Sequence, residues 1–265
     1  MSEAAERTGR LLRVGVGVSV VGVVGLLLLT DLPLMEVVGL AAFYLLLPAL
    51  AVAQVPLLGT ERLERVPVYL GSMVTILLMG AVALFLSGRL EGVVPAGLTL
   101  LPAGEFLLWT LGLTLGGIVL ILVMHPLEQR VGGARPDVLK ELLPRTTGEK
   151  GLFVGLSCSA GLGEEAAYRG YAFQVVQLLG FGPWGAAAAS AVPFALLHAY
   201  QGPMGLVRTG LLGIGLAVPV VLTGSLLPSM AAHALIDVIV GLGLGRRLLG
   251  EAEVDSGVVL PPSEA

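Results

Sequence analysis

Six side chains in the second half of this sequence have the types and spacing for chemistry. The stretch GLGEEAAYRGYAF, residues 161–173, holds Glu164, Glu165 and Arg169. FALLH ends at His198, and HALID runs from His233 to Asp237. Glu165 and Arg169 are four residues apart, so on a helix they share a face and can pair. Glu164 lies about 100° further round and is free to face a cavity. The expected division is a chemical Glu164 beside a structural Glu165–Arg169 pair. His233 and Asp237 are also four apart and face the same way. An aspartate so placed can set a histidine's tautomer or join it at a shared site. A glutamate with a histidine can hold and deprotonate a water molecule. A second histidine with a donor partner can stabilise an oxyanion. The same set suits a zinc ion, with Glu164, His198 and His233 as ligands. No HExxH is present, since HPLE at His125 has the wrong order and a proline, and there is no GxSxG.

These residues lie in a chain built to sit in lipid. Of 265 residues 55% are hydrophobic and 13% charged, against about 25% charged in soluble domains, and the mean hydropathy is +0.92. Eight segments approach the ~20 apolar residues that span a bilayer: Val14–Thr30, Leu34–Gln54, Val68–Ser87, Phe106–Met124, Gly151–Leu179, Trp184–Ala199, Leu206–Leu222 and Leu226–Leu244. The expected fold is all-α, a polytopic transmembrane bundle of about eight spans. The first span follows Arg7, Arg10 and Arg13 with no small-x-small cleavage site after it, and reads as an uncleaved anchor. A net charge of −4 excludes a nucleic-acid partner, which needs a clustered basic face. The single cysteine, Cys158, excludes an internal disulfide.

Lysine and arginine set the orientation. Thirteen of the fourteen basic residues outside the membrane core fall on alternate loops with the N-terminus, Arg62, Arg65, Arg130, Arg135, Lys140, Arg145, Lys150, Arg208, Arg246 and Arg247 among them; only Arg89 does not. The expectation is a multi-pass cell-membrane protein with both termini in the cytoplasm. Organisation divides into a four-span region with its loop (1–149), a region bearing the chemistry (150–245) and a cytoplasmic tail (246–265). Small residues at four-residue spacing, Gly112/Gly116 and Gly155/Ser159/Gly163, suit close helix approach in lipid. Ionisable groups inside a span cost about 2.5–3.5 kcal/mol each on insertion scales. Apart from Glu36 near the end of the second span and His125 at the boundary of the fourth, they cluster in the later spans, which marks a site rather than scattered structure.

At these residues the sequence resembles the type II CAAX prenyl endopeptidases and their bacterial relatives, the CPBP or Abi family of intramembrane proteases. The family pattern, EExxxR, FxxxH and HxxxN or HxxxD, reads here as Glu164-Glu165-x-x-x-Arg169, Phe194-x-x-x-His198 and His233-x-x-x-Asp237. The resemblance covers roughly residues 150–245. It implies that Glu164 and His198 activate the attacking water, that His233 with Asp237 binds the oxyanion, and that Glu165 and Arg169 support the fold. Eukaryotic-type members have Asn where this chain has Asp237, and an ionised Asp only accepts hydrogen bonds. The resemblance leaves metal-independent and metal-dependent catalysis open; the reading favours no obligatory cofactor, with zinc as the other case. The implied partners are a peptide or membrane-protein substrate and the lipid bilayer. Two other classes stand beside the peptidase: a proton-coupled transporter using Glu164 and the histidines as a relay, and a catalytically silent immunity or scaffold protein. Transporters often show repeated halves, whereas the polar residues here sit in one half.

Overall fold

The computed structural model of the protein describes residues 3–58, 63–90, 97–131 and 136–250. Arg62, Arg135 and the tail after Gly250 lie outside the described residues. Among the described residues nine helices follow one another: α1 (Glu3–Leu29), α2 (Leu34–Leu57), α3 (Arg65–Ser87), α4 (Ala103–Val131), the short α5 (Pro136–Leu142), α6 (147–178), α7 (Pro183–Leu197), α8 (Pro203–Thr223) and α9 (Leu227–Leu248). Six of them, α1, α2, α3, α4, α8 and α9, are long and apolar enough to cross a membrane. The two remaining expected spans are α6, which carries the buried charges, and α7, which has 15 residues. The chain is a multi-pass helical membrane bundle. Its outer helices present apolar side chains outward, among them Val21, Leu28, Val74, Leu108 and Leu115, as lipid contact requires.

Helix α6 is the axis of the fold. Every residue from Gly163 to Val176 is buried. Helix α3 packs on one side of it and α9 on the other, while α7 packs against α8, and α4 lies behind α8 and α9. Glycines let α6 come this close. A Cβ on Gly80 of α3 would lie 2.6 Å from Gly163 Cα, a Cβ on Gly163 would strike the Ile76 carbonyl, and one on Gly161 would strike the Met230 carbonyl. Gly112 and Gly116 share the four-residue spacing but have open space around them; in α4 it is Gly117 that meets a neighbour, Ile236. We expect Gly163→Ala to lower stability by about 1–3 kcal/mol, because backbone atoms cannot swing aside. Gly112→Ala should be neutral or slightly stabilising, since alanine is the better helix former. Thermal unfolding of the two variants in detergent checks this, and equal effects would remove the packing argument.

Two helices differ from their sequence expectations at the ends. The sequence places the end of α4 near Met124, yet α4 continues through Pro126 to Val131. Proline removes one ladder bond there, but the extra turn carries Glu128 to Arg208, at 2.6 Å. Helix α6 starts at Thr147 rather than Gly151, because Thr146 and Glu149 form a capping box: Glu149 N–H donates to Thr146 Oγ1 and Thr146 N–H to Glu149 Oε2, both at 3.2 Å. The backbone N–H groups of Arg145 and Thr146 hold the Glu149 carboxyl, outside the span, below its ordinary pKa.

The connections gather at two ends. At one, Arg65 Nε donates to the Leu143 carbonyl at 2.8 Å and Arg246 Nη2 to the Pro144 carbonyl at 2.6 Å. At the other, Ser225 Oγ donates to the Thr99 carbonyl at 2.7 Å. Between them, α2 and α6 each contain a π-helical stretch, Ala42–Leu46 and Ala166–Ala172. In α2 the Leu47 N–H bonds to Ala42, and Pro48 has no N–H to offer. The Phe43 carbonyl, left without its usual donor, accepts the Tyr168 hydroxyl at 3.1 Å. A gap in one helix is thus closed by a side chain of the other.

Candidate active site

The π-helical stretch of α6 begins one residue after Glu165 and contains Arg169. Such segments recur at functional sites. Arg169 Nη1 donates to Glu165 Oε1 at 2.8 Å, with both side chains fully buried. The guanidinium lies 4.0 Å over the ring centroid of Phe194 from α7. Gly213 of α8 provides space for it: a Cβ there would sit 2.7 Å from Nη2. A buried charge is tolerable only when paired and enclosed in this way. The same Glu165 Oε1 lies 2.9 Å from His233 Nδ1 of α9. One carboxylate oxygen therefore ties α6 to α9 while its neighbour along the helix is turned elsewhere.

That neighbour is Glu164, which is 7% exposed. Among the described residues its Oε2 has no hydrogen-bond partner. His198 Nε2 lies 4.0 Å from it, too far for a direct hydrogen bond. His198 sits just past the last residue of α7. Its Nδ1 is 3.0 Å from the Phe194 carbonyl. A carbonyl only accepts, so Nδ1 carries the proton and Nε2 of the neutral ring presents a lone pair. A carboxylate oxygen and an imidazole lone pair thus face one spot. A water about 2.8 Å from each would subtend about 90° between them and could donate one hydrogen to each.

His233 stands between two carboxylates. Its Nδ1 is held by Glu165, and its Nε2 is 3.7 Å from Asp237 Oδ2. The Asp237 side chain is 39% exposed. The hydrogen-bond partner that orients His233 is therefore Glu165, 68 positions away in the chain, rather than the aspartate one turn along. Phe194 stacks edge-on to His233, with centroids 5.9 Å apart, and is tilted against His198 at 5.1 Å. All six expected residues converge, and Phe194 lies at their centre. Among the described residues no three His, Cys, Asp or Glu side chains are grouped to hold a metal ion. The Nδ1 hydrogen bonds of His198 and His233 leave each Nε2 free to ligate, as in zinc sites; it is the spacing of Glu164, His198 and His233, and not their tautomers, that does not form a zinc site as placed.

Sequence reasoning missed one further cluster. Arg208, read only as a loop charge, contacts Glu128 and Gln201. Glu128 is 80 positions from Arg208, and no local spacing could have joined them.

Residues 148–239 match the family model described as type II CAAX prenyl endopeptidase Rce1-like. No curated protein and no solved structure compared with the chain matches it. Glu164, Glu165, Arg169, His198, His233 and Asp237 all fall within the matched stretch, so the chain carries an Rce1-like domain of the type II CAAX prenyl endopeptidase kind over residues 148–239.

Proposed function

We propose that this protein is an intramembrane endopeptidase that cleaves a peptide bond in a peptide or membrane-protein substrate, with water activated by Glu164 and His198. The observation that carries the reading is the buried Glu164 Oε2, which has no hydrogen-bond partner among the described residues and lies 4.0 Å from His198 Nε2. The water oxygen attacks the substrate carbonyl carbon as Glu164 takes its proton. The carbonyl oxygen gains the negative charge, which is stabilised by His233, protonated on both ring nitrogens so that Nε2 donates while Nδ1 is held by Glu165, and by Asp237 in its neutral carboxylic-acid form. Glu164 then returns the proton to the departing nitrogen as the C–N bond breaks, leaving a free carboxyl and a free amine. Glu165 and Arg169 hold the helices and the His233 ring in place. On the lysine and arginine pattern, the end of the bundle bearing Arg65, Arg145 and Arg246 faces the cytoplasm.

A proteomic comparison of membranes containing the wild type or Glu164→Gln tests this. The variant should accumulate an uncleaved precursor, with the cut bond mapping to its cytoplasmic side. No accumulated precursor would end the peptidase reading, and a cut on the other side would reverse the orientation.

The cofactor question has its own test. If Asp237 serves the oxyanion, Asp237→Asn supplies a donor of the same size and keeps activity within a few-fold, and a chelator has little effect. A ligand role would cost about 10-fold or more in the same variant. Stoichiometric zinc in the purified protein, with activity lost on stripping it, would overturn the metal-free mechanism.

A further inference from the structure

His198 is the member of the site least secured by secondary structure. It follows the last residue of α7, with φ −98° and ψ 20°, and opens a 3-10 turn, Ala199–Gln201. The turn ends at Gly202, whose φ of +85° lies in the region glycine adopts most easily. No continuous helical ladder runs through it. Its last residue, Gln201, is instead gripped from α8. Arg208 Nη2 donates to Gln201 Oε1 at 2.8 Å, and Thr209 Oγ1 approaches the same oxygen at 3.4 Å. The Gln201 side chain lies so close to Gly205 that a Cβ there would overlap it. Arg208 is itself fixed from a third helix: its Nη1 donates to Glu128 Oε1 of α4 at 2.6 Å, with the two side chains 16% and 11% exposed. Gln201 Nε2 in turn donates to the Tyr200 hydroxyl at 3.3 Å, and the Tyr200 ring lies 6.0 Å from that of His198.

We infer that Glu128, Arg208 and Gln201 form a latch that positions His198 against Glu164. The inference rests on the proposed role of His198 in activating water. The planar guanidinium fork suits the task, because its two terminal nitrogens reach acceptors on two different elements at once. A tie between α4 and α8 alone would need only the Glu128 contact; the second contact, onto the turn, carries the effect to His198. These three are positioning residues, since none touches the spot where the water would sit.

Ring-15N-histidine NMR of the full chain in detergent tests the latch without requiring turnover. Only His125, His198 and His233 contribute signals, and His125→Gln and His198→Gln assign them. Arg208→Gln, Glu128→Gln and Gln201→Ala should each shift the His198 ring resonances while leaving those of His233 in place. Cleavage of the accumulating precursor should fall about tenfold or more in the same variants, as expected for a displaced catalytic group. Arg208→Lys, whose single nitrogen replaces two that now reach separate acceptors, should be intermediate. Charge reversal, Glu128→Arg with Arg208→Glu, should restore the His198 resonances, since the Gln201 amide can turn its NH2 toward the new carboxylate. Gln201→Ala leaves the ion pair intact and keeps the test readable if breaking the pair unfolds the protein. A folded Gln201→Ala or Arg208→Gln protein whose His198 resonances coincide with the wild type's would overturn the latch. Failure of the peptidase reading would show separately, as an absence of precursor with Glu164→Gln while the resonances still report.

Discussion

Glu164→Gln should leave a folded, membrane-inserted protein whose cleavage rate falls by about 10²–10⁴-fold, the usual worth of a positioned general base. Glutamine keeps the shape of the side chain and removes the acceptor charge. The fold has little to lose, because Oε2 makes no hydrogen bond among the described residues. A buried carboxylate without a partner is itself costly, so the melting temperature should stay level or rise. Active sites commonly carry such a stability cost, and removing the functional group relieves it. The measurements are precursor cleavage by purified protein and thermal unfolding in detergent. Retained cleavage in a well-folded variant would show that Glu164 is not the base.

Arg169→Ala should do the reverse and act first on stability. It removes the guanidinium from between Phe194 and Gly213 and leaves Glu165, fully buried, with His233 as its remaining partner. Breaking a buried pair in this way costs about 3–5 kcal/mol. Protein level and melting temperature should drop together, and any activity lost should track the unfolded fraction. Glu165→Gln should be similarly damaging, since one oxygen serves both Arg169 and His233. Arg169→Lys should recover part of the loss, as an ammonium can reach Glu165 but lacks the flat face that stacks on Phe194. An Arg169→Ala protein that melts with the wild type would refute the structural assignment. Adjacent residues of one helix would thus separate into opposite phenotypes, chemistry for Glu164 and stability for Glu165.

Whatever follows from the properties of a single helix is legible in the order of residues alone. Span positions were legible because a bilayer demands a fixed length of apolar residues, and all eight expected segments are helical. The Glu165–Arg169 pair was legible because 3.6 residues per turn place i and i+4 on one face, and the turning away of Glu164 follows from the same geometry. Everything that depends on the rotation and depth of one helix relative to another is fixed only by packing. His233 and Asp237 satisfy the same four-residue rule, yet His233 donates its hydrogen bond to Glu165 across the α6–α9 interface. Gly112/Gly116 and Gly155/Gly163 have related spacing, yet only at Gly163 does a neighbouring backbone press in. His198 reaches Glu164 because α7 stops after 15 residues and its following turn is held by Arg208 and Glu128. Spacing along one chain sets which side chains share a face; only the packing of α3, α8 and α9 around α6 sets what that face meets.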